Sequence, residues 1–479
     1  MVQQSQVRPG LVLAVLSVAS FMAGLDLFIV NVAFDDIGRD FAGESLADLS
    51  WVLNGYAIVF AALLVPLGRL ADRYGRKAGL VAGLTVFVLA SQACALAPSL
   101  WWLVAFRVAQ AVGAAALIPT SLGLLLSVFP PERRGGAVRV WSASAALAAG
   151  AGPAVGGVLV EVSWRWVFEV NIPIGVLATL LALRYVPDSR EGVSARVPDL
   201  PGAVVLTGAI ALLALGLVKI NDWPGERTAI AVGVALLALA LFWLRSARHP
   251  APVIEPSLLG VRTFAWSNAT VLLFTVAFAA NLLLGVLWMQ EIWHYSAVET
   301  GLGVAPGPLM VPVMALVAGK MVAARVPVGL VTAVGCMLCM FGVVMMATSL
   351  GPEPAYAAEL LPGWLVGGTG VGLALPTILA AAAVDLPAER YATGSAVVNM
   401  SRQIGSVLGV SLAVALLGAP HGYLDAHRAY VNAWLVVAAV MVAAAIAALG
   451  MTPVRRGASQ PSSPSVPGTG TEAVAGTRT

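Results

Sequence analysis

Two charges of opposite sign stand where few charges are tolerated: Asp26 and Arg107 each interrupt an apolar run long enough to cross a bilayer. An ionisable side chain within a span is costly and is a functional candidate by default. Asp26 lies about seven residues before the end of the first run, and Arg107 about six residues from the outer end of the fourth, which runs the other way. At about 1.5 Å per residue both sit roughly 10 Å from the same membrane face. An arginine beside a carboxylate favours its ionised form, so one that approaches in one state and withdraws in another makes a proton switch. A static structural pair is the alternative. Glu169, four residues after Arg165 at the outer end of the sixth run, suits either an i, i+4 surface pair or a second proton or cation site. Arg402, with Asn399 and Gln403 about two turns into the thirteenth run, either lines a cavity or bonds backbone and lipid phosphate. Lys219 is expected to snorkel to the outer headgroups.

The elements that position these groups must be membrane helices. Of 479 residues 59% are hydrophobic and 11% charged, against about 25% charged in a soluble chain. Too few charges remain to solvate a body of this size, which excludes a soluble globular protein, a disordered chain and a coiled coil. A spanning helix needs about 20 mainly apolar residues. Fourteen such stretches begin near Leu11, Trp51, Leu80, Trp101, Ala137, Val167, Pro201, Ala229, Trp266, Gly301, Val328, Leu361, Thr393 and Val431. The first continues past any signal-peptide length without a cleavage site and is expected to be retained. Lys and Arg accumulate in cytoplasmic loops. With both termini on that side, it carries 20 Lys/Arg and nine Asp/Glu, and the opposite loops carry four and thirteen. The remainder, 27 minus 24 cations and 24 minus 22 acids, is Arg107, Lys219, Arg402, Asp26 and Glu169. Both termini are therefore expected to be cytoplasmic.

The chain also repeats. Glu132-Arg133 before the fifth run recurs as Glu389-Arg390 before the thirteenth, and Gly113 with Pro119-Thr120 recurs as Gly370 with Pro376-Thr377, all offset by 257 residues. The expected class is therefore all-α integral membrane, with two pseudo-symmetric six-helix halves, 1–186 and 263–452. Linkers and two inserted helices occupy 187–262, and the Ser-, Pro-, Gly- and Thr-rich tail 453–479 is expected to be disordered.

After the second run comes a glycine-bounded turn with four cations around one carboxylate, made by Gly68, Arg69, Asp72, Arg73, Gly75, Arg76 and Lys77. It reads as a cytoplasmic latch, in which Asp72 accepts from arginines or helix N-termini in one state and releases them in another. In the fifth run Gly150, Gly152, Pro153, Gly156 and Gly157 offer a small-residue face. Another helix can approach it closely, either as plain packing or as a seal against the other half. The string G68-R-L-A-D-R-Y-G-R-K77 resembles the loop signature of the major facilitator superfamily. L25-D-L-F-I-V-N-V-A33, L103-V-A-F-R-V-A-Q-A-V-G113, G150-A-G-P-A-V-G-G157 and W164-R-W-V-F-E-V-N-I-P-I-G175 are similar to signatures of its fourteen-span drug:proton antiporter branch. The resemblance covers about residues 11 to 450. It implies export of antibiotics or other lipophilic amphiphiles, inward proton flow, alternating access, and helices 1 and 4 beside a central cavity. Ala323 stands where the second-half loop would carry an acid, so a symmetric pair of latches does not follow.

No nucleophile turn G-x-S-x-G and no phosphate loop is present, so an enzyme or an ATP-driven pump within this chain is not expected. Cys94, Cys336 and Cys339 lie in apolar runs and suit small buried hydrophobes better than a disulfide, redox or metal site. His421 and His427 suit a solvated loop. The expected partners are protons, the bilayer of a bacterial inner membrane and a lipophilic small molecule, with a physiological metabolite or sugar carried on the same fold as the alternative. No cofactor, metal or nucleic acid is expected, and the protein is expected to act as a monomer.

Overall fold

The computed structural model describes residues 8–189, 198–386 and 390–451. The tail and the Ala388-Glu389 part of the repeat lie outside the described residues. In these, fourteen helices are long and apolar enough to cross a membrane. They are α1 Pro9–Val32, α2 Leu46–Tyr74, α3 Arg76–Ala95, α4 Leu100–Val128, α5 Glu132–Val160, α6 Trp166–Tyr185 and α7 Leu200–Val218. The others are α8 Gly225–Arg248, α9 Arg262–Ile292, α10 Ala297–Ala323, α11 Val328–Ser349, α12 Leu361–Val384, α13 Thr393–Leu417 and α14 Tyr423–Leu449. Helices satisfy every backbone N–H and C=O within the segment, as hydrocarbon requires. His427 falls inside α14, its ring 6.0 Å from that of Trp288, and not in a loop.

Local chemistry sets the helix ends. Gly75, at φ 125°, breaks α2 from α3 in a conformation a side chain would strain. A capping box of Ser296 and Glu299 starts α10. Asp199 caps α7 by accepting from the Gly202 N–H and takes the Arg245 guanidinium of α8 at 2.8 Å. Burial opposes its charge, yet Arg245, the Gly202 amide and His249 outweigh it and hold the carboxyl below the usual carboxylate range. The last turn of α9, Trp288–Ile292, is a π-helix that carries Glu291, so this acid belongs to a span and not to the following loop.

The face where α1 begins and α14 ends is here the terminal face, and the opposite one the distal face. Equivalent helices of the repeat pack alike. A Cβ on Gly113 of α4 would meet the Gly83 carbonyl of α3 at 2.8 Å. One on Gly370 of α12 would meet the Gly335 carbonyl of α11 at 2.4 Å. At both places only glycine lets the backbones approach. The inserted α7 packs on α8 and also touches α2 and α13. Lys219 pairs with Asp48 at 3.0 Å, and Asn221 donates to the Ala415 carbonyl at 2.8 Å. Lys219 is thus neutralised by protein carboxylates and does not snorkel to headgroups, because Asp48 and Asp222 both lie within reach of its amine.

The first six and last six spans meet tightly at the distal face. Gln290 of α9 donates to the Val32 carbonyl of α1 at 3.0 Å, and Asn54 of α2 donates to Ser411 of α13 at 3.1 Å. Between α5 and α10 the contact is backbone on backbone. Toward the terminal face these two helices part. Ala297, Thr300, Gly301, Gly303 and Val304 are buried, whereas along Pro306–Ala323 only Gly307 and Ala318 are.

Candidate functional site

Asp26 and Arg107 meet. Arg107 Nη1 donates to Asp26 Oδ2 at 2.6 Å, and both side chains are 0% exposed. The site is built on five helices, α1, α2, α3, α4 and α6. Gln110, one turn beyond Arg107, accepts from the same Nη1 at 2.6 Å and donates through Nε2 to Asp26 Oδ1 and to Ser91 Oγ of α3, both at 2.8 Å. Asn171 of α6 donates to Asp26 Oδ1 at 3.2 Å. Arg107 Nε donates to the Val52 carbonyl of α2 at 3.2 Å, and its guanidinium lies 4.1 Å from the Tyr56 ring centroid. Phe168 flanks it at 5.7 Å.

Three side-chain donors therefore converge on one carboxylate in a low-dielectric interior, where charge-assisted hydrogen bonds are strong. Three polar atoms beside it are buried without a partner: Arg107 Nη2, Asn171 Oδ1 and the Tyr56 hydroxyl. A carboxylate that gains a proton becomes a donor and needs an acceptor. Rotating the Asn171 amide would present its unpartnered Oδ1 to Asp26, so the shell can serve both protonation states. Gln110, Asn171, Ser91 and Tyr56 do not stand out in the sequence, since neutral polar residues are common in spans. Only Gln110, three residues after Arg107, carries a visible positional hint.

The other candidates lie elsewhere. Glu169 is half-buried, immediately after Phe168. Arg165, four residues before it and its partner in one of the two roles open to Glu169, instead pairs with Asp40 at 2.7 Å, because the loop after α1 brings that carboxylate closer. The Trp164 indole and the Arg165 guanidinium both donate to Asp40 and hold its carboxyl below the usual range. Arg402 is half-buried on α13, away from the Asp26 cluster.

In the α2–α3 turn Arg76 Nε donates to Asp72 Oδ1 at 2.6 Å and its Nη1 reaches the Gly123 carbonyl of α4. Arg73 lies against the Tyr74 ring, and a Cβ on Gly68 would meet Pro119 at 2.9 Å. Arg69 donates to Glu255 at 3.0 Å and to the Pro252 carbonyl, while Arg390 donates to Ser257. The segment before α9 therefore holds both the α2 and the α13 ends. Glu255 shows no motif in the sequence. The α5 glycines divide their work. Gly152 and Gly156 seat α1 through Phe28 and Ile29, and Gly157 and Pro153 face α10. A Cβ on Gly157 would meet the Ala297 carbonyl at 2.6 Å, and one on Gly301 the Pro153 carbonyl at 2.2 Å.

Fourteen apolar helices around a buried ion pair, tight at one face and parted toward the other, have the architecture of a polytopic membrane protein. The Major Facilitator Superfamily profile matches residues 16–410, and the chain belongs to that family. It is 34% identical over 407 residues to the multidrug resistance protein Stp of Mycobacterium tuberculosis (strain CDC 1551 / Oshkosh), covering 83% of this chain and 74% of that protein. It is 32% identical to the methylenomycin A resistance protein of Streptomyces coelicolor, covering 90% and 93%. With the cephamycin export protein CmcT of Amycolatopsis lactamdurans it shares 33%, covering 91% and 90%. A solved POT family transporter in complex with 5-aminolevulinic acid superposes at a TM-score of 0.67 over 92% of this chain and 96% of that one. At 14% identity it shares the fold alone.

Proposed function

We propose that this protein exports lipophilic, drug-like compounds across the bacterial inner membrane in exchange for protons, by alternating access, with both termini cytoplasmic and as a monomer. The observation that carries this is the Asp26 cluster: one carboxylate, fully buried, with a counter-charge and an amide shell suited to both of its protonation states. The export and resistance names of the relatives support the direction and the cargo class.

On this reading residues 1–186 and 263–452 are the moving halves, and the terminal face is the cytoplasmic one. Asp26 takes a proton from the distal side and Arg107 loosens. Substrate entering from the cytoplasm is carried outward as the proton leaves inward and the ion pair re-forms. Glu169, beside Phe168, is a second titrating group on the proton's way in. The seam of Gly157 and Pro153 on α10 seals the outer face while the inner one is open.

Purified protein in liposomes, acidified on the side of the loop holding Asp40, should drive an amphiphilic dye toward that side without nucleotide. A protonophore should abolish the gradient. An ATP requirement, or a dye movement indifferent to pH, would overturn the reading. Thiol labelling of a cysteine introduced at Gly43 should report an external loop, and one at Tyr74 an internal one.

The turn around Asp72 is the latch. Asp72→Asn keeps an acceptor for the Arg76 Nε–H but removes the charge from the pair, which at a partly exposed site costs at most about 1.5 kcal/mol, near a factor of ten. It should therefore slow turnover by up to about tenfold and leave dye affinity within about twofold. A loss confined to affinity would move Asp72 out of that role.

A further inference from the structure

Along α13, Ser395, Asn399, Arg402 and Ser406 fall within about 60° of arc at 100° per residue. Ser395 is exposed and the other three are half-buried. Gly405 and Gly409 seat α13 against α9, where Ser401 donates to Asn268, and the polar stripe lies beside that contact, partly covered, with Asn399 donating to the Ser395 carbonyl. Four polar residues in line are expensive against hydrocarbon, so the stripe faces water within the protein. Arg402 lies nine residues in from Thr393, roughly 13 Å at 1.5 Å per residue, too deep for a headgroup phosphate to be its natural partner. Among the described residues no carboxylate and no hydrogen-bond acceptor engages its guanidinium. Of the three cations within the apolar runs, Arg107 pairs with Asp26 and Lys219 with Asp48, which leaves Arg402 without a protein anion among the described residues.

We propose that Arg402 is the counter-charge for a carboxylate on the transported compound, so that the cargo class is acidic amphiphiles and not the organic cations or neutral lipophiles. This rests on the efflux reading above. The planar guanidinium fork matches a carboxylate bidentately, and Asn399 and Ser406, one turn to either side, supply further hydrogen bonds. A half-buried cation with no protein anion among the described residues binds such a group without first breaking an internal pair.

Two measurements test this. First, Ser406→Cys is labelled in membranes by methanethiosulfonate reagents bearing a sulfonate or a trimethylammonium group, each rate normalised to a free thiol. The native cysteines are all buried. The sulfonate should be favoured, and adding Arg402→Gln should lower the sulfonate-to-ammonium ratio about tenfold. No labelling from water, or an unchanged ratio, would overturn the proposal. Second, binding to purified protein and export from inverted vesicles are compared for pyrenebutyrate, its methyl ester and its trimethylammonium analogue. The carboxylate should bind about tenfold better than the ester. Arg402→Gln should erase that preference, and Arg402→Lys should keep part of it. Equal binding of the three probes, or a preference that survives Arg402→Gln, would overturn the proposal. Failure of proton-driven export for every probe, with the Arg402-dependent carboxylate preference intact, would sink the efflux reading instead.

Discussion

Asp26→Asn is expected to abolish uphill export while leaving the protein folded and able to bind cargo. Asparagine keeps the shape, and its single amide oxygen can still accept from Arg107, but it carries no proton across the cycle. A pH difference of one unit is worth about 1.4 kcal/mol per proton and sustains about a tenfold substrate gradient under one-for-one exchange. In Asp26→Asn the gradient should fall to about one, with downhill exchange retained. Arg107→Ala leaves a buried carboxylate without its counter-charge, a change costing about 3–5 kcal/mol when the charge persists. Asp26 should escape that cost by holding a proton throughout, which uncouples transport equally. The double variant should then be little worse than either single one, because residues in direct contact are not additive. Gradient formation at several pH values in the full cycle is the deciding measurement. Additive losses, or an Asp26→Asn protein that still pumps with unchanged pH dependence, would remove Asp26 from coupling and point to Glu169.

Asp26 and Arg107 are visible in the sequence because a charge in an apolar run is conspicuous, and their depths can be counted from the run ends. The neutral partners are not visible. Asn171 lies 145 residues from Asp26, and nothing in its own helix distinguishes it from a residue that caps or packs. The fourteen spans are equally plain, since the hydrocarbon core admits helices of one length and composition. What composition cannot supply is which surface faces which. The charge of Lys219 is evident, yet its pairing with Asp48 depends on α7 lying against α2. In the same way Arg165 has two acids in range, and only the fold of the loop after α1 selects Asp40 over Glu169. Glycines are the middle case. The α5 string announces close approach, but the division between α1 and α10 follows from the helix's rotation in the assembled bundle.

That division makes Gly157 and Gly301 sensitive positions for the conformational equilibrium. Their missing side chains leave backbone against backbone, with the Ala297 and Pro153 carbonyls where a Cβ would stand. No rotamer change relieves a clash with a main-chain oxygen, so Gly157→Val or Gly301→Val must push α5 and α10 apart at the distal face. Overpacking of this kind costs about 1–3 kcal/mol. The cost falls only on the state in which the distal face is closed. The ratio of closed to open should therefore shift about 5- to 150-fold toward distal opening, at roughly 1.4 kcal/mol per factor of ten. Because the cycle must revisit both states, export should drop by a similar factor, while Gly152→Ala, against α1 within the first six spans, should cost stability before it costs the equilibrium. Distal accessibility separates the two effects. A cysteine at Val298, next to the seam, should label faster in Gly157→Val than in the parent and no faster in Gly152→Ala. Unchanged labelling in Gly157→Val, with the protein folded and inserted, would mean that this contact is ordinary packing and the seal lies elsewhere, with Gln290 on Val32 the next place to look.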